Sequence, residues 1–254
     1  MLDAVAKVAA EAGRIAHARS GSAFRQWEKV PGHPVCDIDI EIDAFLREQL
    51  GALDPEAGWL SEETLDASDR YERRRAWVVD PIDGTRDYLR GRSGWCVSVA
   101  LVEDRVPLIG VLDAPARGEV WTAERARGAW RNGARLRVSE RRELAGARVP
   151  TERLATPDAD LVAVAKPNSI ALRIAMVAAG EADLVATLRW GFEWDIAAAA
   201  LIASEAGATV TGALGQPFAF NTHSGEAFGV LVATPGIHAA AAARLRERAE
   251  AAVG

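Results

Sequence analysis

The hydrophobic period changes along this chain, and the change limits the possible folds more than any other feature. In the first twenty residues Val5, Val8, Ala9, Ala12, Ile15 and Ala16 recur at helical spacing between charged positions. A second helix is expected over Ile38, Ile42, Phe45, Leu46 and Leu50, with Asp39 near its start and Gly51 at its end. From Trp77 onward the pattern becomes short apolar runs, Trp77–Val79, Val97–Val102, Leu108–Leu112 and Glu119–Thr122, separated by turn residues such as Asp83-Gly84 and Asp104-Arg105. Helix and strand patterns then mix. A strand is expected at Leu161–Ala165, a helix near Ser169–Ala179, a strand at Asp183–Leu188 and a helix ending at Ala206. Strands at Thr209–Thr211 and Phe228–Ala233 and a final helix from Gly236 follow, with Gly180 and Gly207 placed as helix C-terminal glycines.

Such alternation in blocks points to a layered α/β (α+β) architecture. The polar stretch Ala145–Asp160 is the expected seam between an N-terminal half, 1–145, and a C-terminal half, 146–254, which together make one compact catalytic unit.

Composition removes several functions. A net charge of -6 argues against coating nucleic acid, which needs a basic surface to neutralise phosphates. The longest apolar runs fall far short of the roughly 20 residues a membrane span requires. Asp3, Lys7, Glu11 and Arg14 break up the N-terminal apolar positions, unlike a secretory leader, so the cytoplasm is the expected compartment. Cys36 and Cys96 are too few for a disulfide framework and lack zinc-ligand spacing.

The chemistry concentrates in Trp77-Val-Val-Asp80-Pro-Ile-Asp83-Gly-Thr85. An apolar strand delivers Asp80, and Asp83-Gly84 turns the chain so that both carboxylates can meet in one site, with Gly84 allowing close backbone approach. The N–H groups of Gly84 and Thr85, opening a helix, would suit a phosphate oxygen. An isolated Asp-Gly supports no more than a solvated turn. Here, however, Glu62-Glu63 follows the apolar pair Trp59-Leu60, and Trp194-Asp195 opens a later helix. Glu62, Asp80, Asp83 and Asp195 form an all-oxygen donor set suited to Mg²⁺ or Mn²⁺. A calcium loop starting at Asp37 is excluded because Ile42 stands where its glycine must be.

Together with the Gly128-Ala-Trp-Arg-Asn-Gly133 hairpin, these motifs resemble the inositol monophosphatase superfamily, from about Ala4 to Ala242 and in family order. The resemblance implies a layered α-β-α-β-α sandwich, related to fructose-1,6-bisphosphatase, and a lithium-sensitive phosphomonoesterase using two or three Mg²⁺ ions, with Mn²⁺ able to substitute. It implies metal binding by Glu62, Asp80, Asp83, Asp195 and the Ile82 carbonyl. Thr85, with Asp39 behind it and Glu62 beside it, would activate water, and Glu63 would support the shell. Gly84, Ser169 and Arg189, besides Asp83, Thr85 and Asp195, are the expected substrate contacts. The family usually has Thr where Cys36 stands and Gly before Ser169, where this chain has Asn168. A homodimer is compatible with the resemblance.

For the substrate, Arg86-Asp-Tyr-Leu-Arg-Gly91 is similar to the bisphosphate nucleotidase type and to some histidinol-phosphate phosphatases. Inositol-type enzymes tend to place a Glu at the position of Leu188, and Arg189 could pair with a second phosphate. The expected partner is therefore a small phosphorylated metabolite, foremost 3'-phosphoadenosine 5'-phosphate, which would yield AMP and phosphate. Inositol 1-phosphate, histidinol phosphate or a sugar phosphate are the alternatives within the superfamily, and a non-catalytic regulatory protein is the alternative outside it. Trp190 and Phe192 are candidate contacts for a base or sugar, while most other tryptophans are expected in the core.

Overall fold

The computed structural model describes residues 1–21, 25–28, 34–64 and 69–253. Helix α1 (Leu2–Arg19) buries Val5, Ala9, Ala12 and Ala16, the face its period predicts. After a short pair, β1 (Gln26–Glu28) and β2 (Pro34–Cys36), helix α2 (Asp37–Leu53) runs through Gly51 instead of ending there. No neighbour comes within 4 Å of a side chain built at Gly51, and Leu53 beyond it packs against the apolar cluster shared by α1 and α2, so packing carries the helix past its glycine.

The central sheet comprises β3 (Gly58–Ser61), β4 (Arg75–Asp83) and, after the short helix α3 (Thr85–Leu89), β5 (Cys96–Glu103), β6 (Val106–Ala114), β7 (Glu119–Glu124), β8 (Gly128–Arg131) and β9 (Ala134–Arg135). They lie side by side in chain order as seven strands, β3 parallel to β4 and the rest antiparallel. Both faces are covered. Trp77, Val79, Val97, Val99 and Leu101 pack with α1 and α2, whereas the alternate residues Val78, Ala100 and Val102 face the other way. Continuous apolar strands are the sequence consequence of such double burial.

That other face receives the C-terminal part of the chain. A parallel pair, β10 (Arg148–Pro150) and β11 (Val162–Val164), leads to α4 (Ile170–Ala178), β12 (Leu184–Phe192), α5 (Glu193–Glu205), β13 (Thr209–Thr211), β14 (Glu226–Ala233) and α6 (Pro235–Val253). Helix α5 is buried from Ile196 to Ala203 between the central sheet and the β12-β14-β13 sheet, and α6 covers the latter. Its alanines permit close approach: a Cβ at Gly110 on β6 would meet the Ala198 carbonyl oxygen at 2.7 Å. The layers are therefore helix, sheet, helix, sheet, helix. One apolar cluster joins Val78 and Leu112 to Ala171, Ala199 and Val232, spanning the stretch read as a seam. Two further boundaries differ from the sequence reading: β12 continues past Leu188 to Phe192, and β4 continues past Asp80 to Asp83. Among the described residues no helix is long and apolar enough to cross a membrane.

Candidate active site

Strand geometry alone would separate the two motif carboxylates. Residues three apart in a regular strand face opposite sides of a sheet. On β4, however, Asp80 pairs with Ser98 and Asp83 with Cys96, so three steps on β4 match two on β5. The extra residue is a β-bulge, and it restores a common side for Asp80 and Asp83. Gly84 then turns the chain at φ +99°, where a Cβ would meet the Gly94 carbonyl oxygen at 2.7 Å and the Ser169 nitrogen at 2.9 Å. Only glycine fits this turn.

Neighbouring elements bring the other acids. Because Ser61 on β3 is in register with Val79, the next residue, Glu62, emerges beside Asp80. Asp43 on α2 accepts hydrogen bonds from Ser61 Oγ and Thr64 Oγ1, pinning the turn that carries Glu62 and Glu63 from both sides. Asp195 comes from the first turn of α5, where its Oδ2 accepts from the Phe192 N–H at 3.4 Å. That turn is tied down by Ser98 Oγ donating to the Trp194 carbonyl at 3.2 Å and by buried Glu193, which accepts from the Thr222 N–H at 2.9 Å, the Asn221 N–H and the Thr222 hydroxyl. Arg70, fully buried, holds the same loop by donating to Asn221 Oδ1 and the Thr222 carbonyl.

The result is a cleft of about 550 Å³ lined by Glu62, Asp80, Asp83, Thr85, Arg189 and Asp195 among others. Carboxylate oxygens of Asp80, Asp83 and Asp195 all lie within 4.8 Å of one another. Burial, followed by the charges of Glu62, Asp83 and Asp195, holds Asp80 well above the usual carboxylate range. Burial and the charges of Asp83 and Glu62 do the same to Asp195. Asp83 is raised by burial but is restrained by the donors on its far side, Ser169 Oγ and the Ala171 N–H at 2.8 Å. This convergence of buried oxygens without His or Cys suits a hard divalent cation, which would supply the positive charge the cluster lacks.

Several expected contacts lie elsewhere. Ser169 is fully buried, its hydroxyl donating to Asp83 while accepting from the Leu172 N–H at 2.9 Å, so it serves the site through Asp83 and does not face a ligand. Asp39 is buried behind the cleft, where its Oδ2 accepts from the Cys36 N–H at 2.7 Å and its charge bears on Asp80. Thr85 Oγ1 donates to the Ile82 carbonyl at 3.0 Å, and both residues line the cleft. Cys36 is a buried small residue whose thiol is pushed up to about 12 by desolvation and by Asp39. Phe192 stacks on Trp194 with centroids 4.4 Å apart, whereas exposed Trp190 meets Phe228 edge-on. Trp190 and Phe192 line one depression together with Arg189 and Asp195.

Of the basic wall of the cleft, sequence reasoning named Arg189 and missed Lys166 and Arg173. Arg189 lies within a second one-residue bulge, on β12, where Thr187 pairs with Val230 and Trp190 with Phe228. It lines the cleft with Lys166 and Arg173, and its positive charge is felt by both Asp195 and Arg173. The signal for Arg173 was available, since it is the sole charge in the apolar run Ile170–Ala178.

Comparison with known proteins gives a consistent picture. Residues 1–251 match the inositol monophosphatase family. Nus factor SuhB of Xylella fastidiosa is 37% identical over 189 residues, covering 68% of this chain and 67% of that protein. A histidinol-phosphatase of Mycobacterium tuberculosis is 36% identical over 194 residues, 70% of this chain and 74% of its own length. Among solved structures, an IMPase of Thermotoga maritima superposes with a TM-score of 0.85 at 28% identity, covering 99% of this chain and 98% of that one.

Proposed function

The chain belongs to the inositol monophosphatase family, a family of phosphatases, and from that premise we propose that it hydrolyses a small phosphomonoester carrying a second anionic group, 3'-phosphoadenosine 5'-phosphate foremost. The observation that carries the choice of substrate is Arg189, set by the β12 bulge on the cleft wall beside Arg173 and across from the acidic cluster. A cleft with acids on one side and arginines on the other suits an ester that is anionic at both ends. It disfavours histidinol phosphate, whose ammonium group would meet like charge. Leu188, also on the wall, offers no acceptor for a ring hydroxyl of inositol.

In this reading Glu62, Asp80, Asp83, Asp195 and the Ile82 carbonyl hold Mg²⁺, which when bound offsets phosphoryl charge and acidifies water. Thr85 Oγ1, already engaged with the Ile82 carbonyl, orients the attacking water, and Glu62 accepts its proton. The Gly84 and Thr85 N–H groups face the phosphoryl oxygens, and Asp39 steadies the site from behind. Lithium inhibition, action in the cytoplasm, and a small metabolite with no polymeric nucleic acid or membrane as partner belong to the same proposal.

The test is Mg²⁺-dependent phosphate release from 3'-phosphoadenosine 5'-phosphate, inositol 1-phosphate and histidinol phosphate. The bisphosphate should have the highest kcat/KM. Arg189→Ala should lower that value by about 10- to 100-fold, the worth of a charge-assisted contact, with little change for inositol 1-phosphate. A preference for inositol 1-phosphate, or equal loss on all substrates, refutes the assignment of Arg189, and no release from any ester refutes the enzymatic reading.

A further inference from the structure

Beside the catalytic cleft lies a second cavity of about 320 Å³, enclosed by β10, β12, α6 and the segment around Leu154. Its floor is aliphatic: Leu144, Val149, Leu161, Leu184 and Leu245 all belong to the apolar cluster under α6. Protein interiors close such spaces, because an unfilled apolar void forfeits dispersion contacts on all its walls. A space of this size is large enough for a small ligand.

The charged groups around it are one-sided. Arg153, Lys166, Arg173, Arg244 and Arg248 line the cavity, with Asp158 the sole carboxylate, in a chain whose net charge is -6. Some of these cations have partners. Arg244 pairs with Asp160 at 2.7 Å, Arg248 with Asp158 at 2.8 Å, and Lys166 reaches Glu152 at 3.6 Å. Arg173 pairs with no carboxylate among the described residues. Its Nε donates to the Pro167 carbonyl at 2.8 Å and its Nη2 to the Asn168 carbonyl, so a part-buried cation is fixed in place without a direct ion pair, its charge met only at longer range by Asp83, Glu152 and Asp87. Arg153 likewise makes no ion pair among the described residues.

We propose that this cavity binds a small amphipathic anion, a carboxylate or phosphate joined to an apolar body, with the body on the leucine floor and the anionic end against Arg173 and Lys166. The cavity and the cleft share Lys166, Arg173, Thr187 and Leu188, so the ligand's head lies against the same wall that faces the substrate. Two sources fit this chemistry: the apolar part of a phosphorylated substrate, or a separate small molecule bound alongside it.

The probe is octanoate, titrated calorimetrically into the full chain, with acetate and octylammonium as controls. Octanoate should bind, and both controls should bind at least about tenfold more weakly, since one lacks the apolar body and the other reverses the charge. Ala155→Trp, at an exposed position on the rim, and Ala186→Phe, which fills the interior, should each weaken octanoate by about tenfold or more. Octanoate that competes with the phosphate ester identifies the cavity as part of the substrate site. Octanoate that binds together with it identifies a separate ligand, and both results support the proposal. Absence of octanoate binding, equal binding of octylammonium, or unchanged affinity in folded Ala155→Trp overturns it. Because binding is read without turnover, its failure alongside intact phosphate release leaves the phosphatase reading standing.

Discussion

Replacing Asp80 by Asn separates the stability of the acidic cluster from its chemistry. The Asp80 carboxylate is 2% exposed and lies within 4.8 Å of oxygens from Asp83 and Asp195. At that separation two full charges repel by about 3 kcal/mol at an effective dielectric near 20. Asn keeps the oxygen that accepts the Ile82 N–H at 2.9 Å, so the local backbone bond survives while the charge goes. The sign of the pH dependence follows from the raised pKa. A carboxylate held above its unfolded value costs nothing while protonated in both states, and the cost grows as pH rises above about 4. In chelator-treated protein Asp80→Asn should therefore be about as stable as wild type near pH 4 and roughly 1–3 kcal/mol more stable at pH 7.5. The upper end is the pairwise repulsion, and partial protonation of the cluster lowers it. Urea unfolding at the two pH values measures this difference. Mg²⁺ should reverse the order. Saturation at about a hundred times Kd stabilises the wild type by roughly 2.7 kcal/mol through mass action, and the variant should gain far less while turnover falls by orders of magnitude. A variant less stable than wild type at pH 7.5 without metal, yet with the full Mg²⁺ response, would refute the account of the cluster as a charge-repelled cation site.

Other positions test separate steps of the argument. Asp113, buried on β6 against α1 with its Oδ2 unpartnered, is pushed up to about 7 by burial, so Asp113→Asn should stabilise by at most about 4 kcal/mol above pH 7 and by almost nothing near pH 4, read by urea unfolding. Gly84→Ala should cost about 1–3 kcal/mol and most of the activity, because φ +99° and the Gly94 and Ser169 backbone contacts both forbid a Cβ; unchanged melting and turnover would contradict the turn geometry. Ser169→Ala removes a donor from Asp83 and the cap of α4, so it should cost about 1–2 kcal/mol and raise the Mg²⁺ concentration for half-maximal activity by about tenfold or more; an effect on melting alone would make Ser169 purely a cap.

How much of this was legible in the sequence follows from how local each feature is. Trp77–Thr85, Glu62-Glu63 and Trp194-Asp195 carry their acids in short strings, and the helical and strand periods around them placed most elements. What the period could not show is that Asp80 and Asp83, three residues apart, share a side: that needs the extra residue the β4–β5 register absorbs, a property of two strands and not of one. The supports are less local still. Asp43 meets Ser61 and Thr64 about twenty residues away, and Glu193 holds Asn221 and Thr222 nearly thirty residues on. Each would look like an ordinary surface acid on its own element.

The basic wall shows why substrate is harder to read than reaction. Metal ligation needs acids at element ends, which leave a motif. In the proposed function substrate choice rests on Lys166, Arg173 and Arg189, which come from a loop, the apolar helix α4 and the bulged strand β12 and meet only in the folded chain. If Arg189→Ala lowers kcat/KM only for the bisphosphate, the β12 bulge is a specificity device: the irregular stretch between Thr187 and Trp190 breaks the strand's alternation, and Thr187, Leu188 and Arg189 in succession line the cleft.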